Sequence, residues 1–397
     1  MNTRTKVSIT AGTKSLEFNL PENARDVICA GSPTDQSVRD LVLDAITHPI
    51  AFPELGLAIL DDDRVAIAIE DGVPRGSEIV QELVEWLLGR KLQPEQITVV
   101  LSGTGSIPLD GMRRALIDRE GVRIVQHAPD DPEQLEYIAA AESADAIYIQ
   151  RDLVEAAVVL PIYCIRHPEA LSPSDLYAMS PGFADAKTKQ RWNLAWLDDN
   201  RHHLHLQSKL SREAGWLMGV QFALAVVPSQ DGGIAGILGG DPEQVYRTAQ
   251  SQLQEASYTE PATTKQDLVI ASVEGAKDQQ TWMNVARAMA KADSFLSPAG
   301  CLVVLCDVDR ITDGIAQLAS DEPDDELERT LLGGDLEDAF SAAVIRSVQA
   351  KRSVYLMAPL NPTEVEGLGL APISGSADVE RLSQRFRKVC LLRTSQF

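Results

Sequence analysis

Two short β-branched runs, Val65–Glu70 (VAIAIE) and Ile97–Ser102 (ITVVLS), constrain what this chain can fold into more than any other feature. Each empties into a turn, and a helical pattern follows each turn: Ser77–Leu88, with Ser77 placed to cap it, and Leu109–Arg119. Strand, turn and helix in repetition predict parallel strands. Loops leaving the carboxyl ends of neighbouring parallel strands converge on one crevice, where α/β proteins keep their ligands. Here those loops are Asp71-Gly-Val-Pro-Arg75 and the turn that opens Gly103-Thr104-Gly105-Ser106.

The same rhythm runs along the rest of the chain. Leu16, Phe18 and Leu20 alternate with polar residues, and Pro21-Glu-Asn23 is read as the turn of an N-terminal hairpin. Val122–Gln126 and Ala146–Ile149 continue the strands, and Ala157–Ile165 is apolar throughout, as expected of a strand buried on both faces. Arg166–Asn200 is irregular and reads as a long functional loop or short-helix lid. Asp241-Pro-Glu opens a helix, with Asp as cap and Pro in the first turn. Ser257–Lys265 is the best linker, and beyond it the alternation of strand and helix restarts.

The expectation is therefore an α/β protein of two domains, with largely parallel sheets flanked by helices and a ligand cleft between them. The first domain is read as residues 1–262 and the second as 263–386, with a last strand in 387–397 free to return to the first. At 397 residues the chain is long enough for two cores.

A net charge of −22 repels phosphate backbones and argues against nucleic acid as a partner. No segment approaches the roughly 18–20 apolar residues of a membrane span, and the N-terminal residues lack a secretory pattern, so a cytoplasmic protein is expected. The five cysteines show no CxxC spacing and suggest buried thiols, with neither zinc nor disulfides. An oligomeric assembly stays open.

Several residue groups could carry chemistry. Gly103 and Gly105 are spaced like the start of a dinucleotide fingerprint, but Ile107 and Pro108 follow where it needs a third glycine. The same turn could present backbone N–H groups and the Thr104 and Ser106 hydroxyls to an anion, or bind nothing. Asp71 and Arg75 could orient a hydroxy acid or sugar, with Arg gripping a carboxylate in bidentate fashion, or form a surface ion pair. Of six histidines, three cluster in His202-His203-Leu204-His205, a pattern that can hold a borderline metal if extended, or merely be solvated. Lys187 and Lys189 either line the lid or are surface charge. Trp282, Asn284 and Arg287, on a helix opening just after a strand, either face an interdomain cleft or, for Trp282, pack in the core.

The chain resembles the lactate racemase family from about Ala66 to Asp307. The resemblance is carried by VAIAIEDGVPR, ITVVLSGTGSIPL, Asp130-Asp-Pro-Glu133 with Tyr137, Gly239-Gly-Asp-Pro-Glu243 and Trp282–Met289. It implies two α/β domains and a racemase or epimerase that inverts an α-hydroxy-acid carbon by hydride transfer to a tethered nickel-pincer nucleotide. Under it, Asp71 and Arg75 match orienting groups, and Asn284 and Arg287 match a glutamine and a lysine of the second domain. Phe340 falls near a tryptophan that packs on the cofactor. Ser106 stands where the family has its first histidine base, and His167 lies close to the second. The Gly-Gly-x-Lys tether is not kept, leaving Lys187 as the nearest substitute, with His203 or His205 as nickel ligand. The substrate implied is a small organic acid or sugar. The alternatives are a catalytically silent homologue that binds a nucleotide or organic acid, and a nicotinamide dehydrogenase.

Overall fold

The computed structural model describes residues 4–103, 109–140, 146–171, 176–197, 201–257, 265–320, 327, 330–332 and 336–397. It is an α/β protein built on two six-stranded sheets. In the first sheet the strands run in the order β11 (Ile234–Gly240), β10 (Ala223–Pro228), β9 (Val158–Cys164), β4 (Val65–Ile69), β5 (Ile97–Leu101), β6 (Arg123–Gln126). All its pairings are parallel except that of β10 with the edge strand β11. The second sheet runs β15 (Ala371–Pro372), β14 (Ser353–Met357), β13 (Leu296–Leu305), β12 (Gln266–Ser272), β16 (Val389–Arg393), β3 (Arg25–Ile28), and is parallel throughout.

The first sheet shows why its central strands lack alternation. Every residue of β4 and of β10 is buried, because helices cover both faces. The helix Gly76–Gly89 contributes Ile79, Val80, Leu83, Val84 and Leu87 to one face. On the other, the helix Pro242–Ala256 supplies Val245, Ala249 and Leu253, and is capped by the Asp241 side chain, which accepts from the Gln244 N–H. Ser77 caps nothing: the helix starts one residue earlier, after Arg75 in a left-handed conformation.

Two local expectations change. The N-terminal hairpin is β1 (Arg4–Ala11) with β2 (Lys14–Pro21), turning at Gly12-Thr13, so the segment after Pro21 leads into β3. Ala146–Gln150 does not extend the main sheet. As β8 it pairs antiparallel with β7 (Leu135–Ala140) in a separate ribbon.

A larger change concerns the domain halves. Residues 4–28 pack and pair with the second sheet, although the sequence reading places them in the first domain. Val7, Ile9, Phe18 and Leu20 pack against Leu268, Ile270, Val303 and Leu391, and β3 pairs with β16. The last strand likewise stays in the second sheet, between β12 and β3. No local pattern distinguishes a strand's own sheet from a distant one. The crossing back to the first domain is made past β16, where Phe397 is fully buried among Leu224, Val226 and Ile162. The linker residues 258–264 fall outside the described residues.

Phe397 also accepts a 2.8 Å hydrogen bond from the His167 backbone N–H, so the chain end and the loop after β9 hold each other. Truncating a fully buried Phe removes its transfer free energy and leaves a cavity. Phe397→Ala should lower stability by about 3–5 kcal/mol, read as a reduced denaturant midpoint. Two buried imidazoles add a pH dependence. Burial lowers the His127 pKa to about 4 and the His167 pKa to about 3. The unfolded state therefore binds more protons between those values and the ordinary 6.5 of each ring. The stability they contribute is complete above pH 6.5 and is lost as pH falls towards the folded values, by up to about 1.4 kcal/mol per pH unit for each ring. Urea titrations from about pH 7 to about pH 5 should show falling midpoints, with a shallower fall in His127→Gln.

Candidate active site

In the first sheet the strand order reverses between β4 and β9, since the chain goes from β4 outward through β5 and returns to β9 on the other side. A crevice forms at the carboxyl ends on either side of such a reversal. The register Ile69↔Leu101 and Ile69↔Ile162 brings the ends of three strands level. Ser102 N–H donates to the Ile69 carbonyl at 3.1 Å, and Asp71 N–H donates to Ser102 Oγ at 2.9 Å. These bonds fix Glu70, Asp71 and Ser102 at the lip of one cavity of about 270 Å³.

The cavity is walled from both domains. Glu70, Asp71, Ser102 and Gly103 come from the strand ends of the first, and Lys189, Trp192, Asn193 and Trp196 from the helix Ala186–Leu197. The second domain supplies Met283 and Arg287 from the helix Trp282–Asp293, and Asp338, Phe340 and Ser341 around the start of the helix Ala339–Gln349.

Behind the lip lies a buried polar frame. Arg166 reaches Glu70 at 3.4 Å and donates to the carbonyls of Cys164 at 3.2 Å and Gly72 at 2.8 Å. Burial pushes the Glu70 carboxyl up, and Arg166 and then Arg287 oppose the rise. Arg287, 4% exposed, donates from Nη1 to Asn284 Oδ1 at 2.9 Å. Asn284 is itself held by its amide at 2.8 Å from the Gln279 carbonyl. Gly72 stands between the two guanidiniums with φ +77°, and a Cβ there would lie 2.6 Å from Arg287 Nη1 and 2.8 Å from Arg166 Nη2. Only glycine lets the backbone pass so close.

Three further groups of the cavity have shifted proton affinities. Burial, followed by repulsion from Arg166, brings Arg287 down to about 10. Lys189 is brought down to about 8 by burial, against the pull of Asp130 and Asp71, and donates to the Ser102 carbonyl at 3.3 Å. Asp338 is pushed up to about 6 by burial, with Glu337 and Asp71 adding to the rise and the Thr312 hydroxyl opposing it. Lys189 and Asp338 thus exchange protons near neutrality, as acid–base groups do.

The sequence-derived candidates distribute unevenly over this geometry. Asp71, Gly103 and Arg287 line the cavity, as does Phe340, and Asn284 stands behind Arg287 as its hydrogen-bond partner. Arg75 is turned to the surface, paired with Glu78 at 2.5 Å, and its N–H donates to Asp278. Lys187 is exposed, and Lys189 is the lysine on the cavity. His167 does not line it: the ring is partly buried beside Lys291, whose charge adds to the lowering of its pKa. His205 is exposed on the helix Arg201–Leu217, which also contains His203. The segment is helical rather than extended, and the side chain of His203 lies outside the described residues. Among the described residues no group of three or more metal-ligating side chains occurs. Thr104, Gly105 and Ser106 lie outside the described residues. Trp282 is core, its indole donating to the Arg310 carbonyl at 2.7 Å.

Sequence reasoning missed Arg166, Trp192, Trp196 and Asp338. A signal for the two tryptophans was present: Lys189, Trp192, Asn193 and Trp196 follow helical spacing and share one face.

Residues 11–188 match the model of the lactate racemase N-terminal domain. No curated protein matches the chain. Among solved structures, the lactate racemase apoprotein from Thermoanaerobacterium thermosaccharolyticum superposes with a TM-score of 0.74 at 17% identity, covering 98% of each chain. A crystal structure of a Thermotoga maritima protein gives a TM-score of 0.62 at 14% identity, over 92% of this chain and 98% of that one. Among the described residues no helix is long and apolar enough to cross a membrane. Residues 11–188 are thus similar to the lactate racemase N-terminal domain, and the two-sheet α/β fold is shared along nearly the whole length with the lactate racemase apoprotein.

Proposed function

We propose that the cleft binds a small organic acid and inverts its hydroxyl-bearing carbon, a racemase-type isomerisation. One observation carries this reading: Arg287 from one domain and Lys189 from the other meet on a single cavity together with the Asp71 carboxylate. A buried guanidinium is suited to grip a carboxylate through two parallel bonds. Inversion needs hydrogen taken from one face of a carbon and returned on the other. In its neutral form, populated near its pKa of about 8, Lys189 can accept a proton from an acid that Arg287 holds. Asp338, near its value of about 6 and on the second domain, can return one. Asp71 orients the substrate hydroxyl by accepting from it, and Asn284 holds the guanidinium in place.

The nickel-pincer nucleotide implied by resemblance fits these residues poorly. Its carried-over tether, Lys187, is exposed, and neither His205 nor His167 lies on the cavity. The same placement favours a second reading, a homologue that binds an organic acid without turning it over.

Calorimetry with hydroxy acids, together with chiral chromatography of the mixture, separates the two. Binding with inversion supports the racemase, and binding without inversion supports the silent homologue. Arg287→Gln should weaken binding by on the order of 2–5 kcal/mol, as expected when one member of a buried charge pair is removed. Lys189→Met should reduce inversion by about 10²–10⁴-fold. Because Lys189 loses its charge as pH rises through about 8, acid affinity should fall above that pH. It should stay flat in Lys189→Met. Unchanged binding in both variants would remove the acid site altogether.

A further inference from the structure

The cavity has more apolar lining than a three-carbon acid would use. Leu171, Trp192, Trp196, Met283, Leu336 and Phe340 line it, and three of these six are aromatic. At roughly 30 Å³ per water in the liquid, its 270 Å³ is room for about nine waters. A ligand of six heavy atoms anchored at Arg287 would leave the aromatic wall in contact with water. Trp192 is only 4% exposed, and the buried indole N–H groups of both Trp192 and Trp196 have no acceptor among the described residues. The buried Nε of Arg287 has none either. Buried donors are satisfied in nearly all native structures, so these three donors on lining residues are ones for which the described residues supply no acceptor. Flat apolar walls with indole donors suit a ring that carries, a short distance away, a carboxylate.

We infer that the cleft selects a hydroxy acid bearing an aromatic substituent, with the carboxylate at Arg287 and the ring against Trp192, Trp196 and Phe340. The inference rests on the reading of the cleft as an organic-acid site, and it adds the substrate class. Phe340, Trp192 and Trp196 are then the residues that set specificity, while Arg287 and Lys189 serve any acid.

The test is a pair of calorimetric titrations of the full chain, with 3-phenyllactate and with lactate, repeated in Arg287→Gln, Phe340→Ala and Phe340→Leu. Phenyllactate should bind roughly ten-fold or more tightly than lactate, the discrimination that apolar pocket contacts give. Its binding should also change the tryptophan fluorescence. Phe340→Ala should erase most of the preference, and Phe340→Leu, which keeps apolar bulk, covers the case where the alanine variant does not fold. Arg287→Gln should weaken both acids alike. Lactate binding as tightly as phenyllactate in the parent, with both weakened by Arg287→Gln, would overturn the aromatic inference and leave the acid site standing. If neither acid bound the parent, the acid-site reading would fall and the inference with it.

Discussion

The burial of two guanidiniums on either side of one glycine is the constraint on which the rest of the site depends. Arg166 and Arg287 come from different domains and repel each other, and burial strips both of water. Such a pair persists only where its surroundings supply acceptors and opposite charge. Here these are Glu70, the carbonyls of Cys164 and Gly72, and the Asn284 amide oxygen. Every one of those acceptors is placed by a strand end or by the first turns of a helix. The frame thus turns sheet register into a fixed positive potential at the cleft. Gly72 passes between the two guanidiniums, and its missing Cβ is what permits the approach.

A second device keeps the domains in register. The chain enters the second sheet first, through β3, and ends beside it, through β16, so that the outermost pairing of that sheet joins segments more than 350 residues apart. Beyond β16, Thr394, Ser395 and Gln396 are fully buried, and Gln396 donates to the Glu274 carbonyl at 2.6 Å before Phe397 enters the other core. Glu274 collects further donors from Ser272, at 2.8 Å, and from Arg393, at 3.2 Å. The segment beyond β16 is therefore held by buried hydrogen bonds beside β12, and Phe397 anchors it in the other core.

The strand-and-helix alternation made the fold class legible, because parallel strands buried on both faces leave unbroken β-branched runs such as VAIAI. The strand ends made Asp71 and Gly103 legible, since a ligand crevice follows from the topology of such sheets. Arg287 followed from its place on a helix that opens behind a strand. What stayed hidden was non-local. No property of Arg25–Ile28 says that it pairs with Val389–Arg393. Choosing between Lys187 and Lys189 depended on where the helix Ala186–Leu197 begins and which face it turns inward, and helix ends are the least determined part of a sequence. The histidine cluster was read for metal on an extended segment, and the segment is a helix. His167 misled by one residue, because its neighbour Arg166 is the one buried against Glu70.

Charge closes the argument about what the cleft can bind. The chain carries a net charge of −22, so its distant field opposes the approach of any anionic acid. At physiological salt that field is screened beyond about 8 Å, whereas groups inside a desolvated cavity are screened far less. Attraction therefore has to be local, supplied by Arg287 and Lys189 at contact distance, and it competes with Asp71 and Asp338 on the same walls. An anion held by so mixed a set gains little from charge alone. The remaining affinity has to come from surface taken out of water, and in this cleft that surface is aromatic.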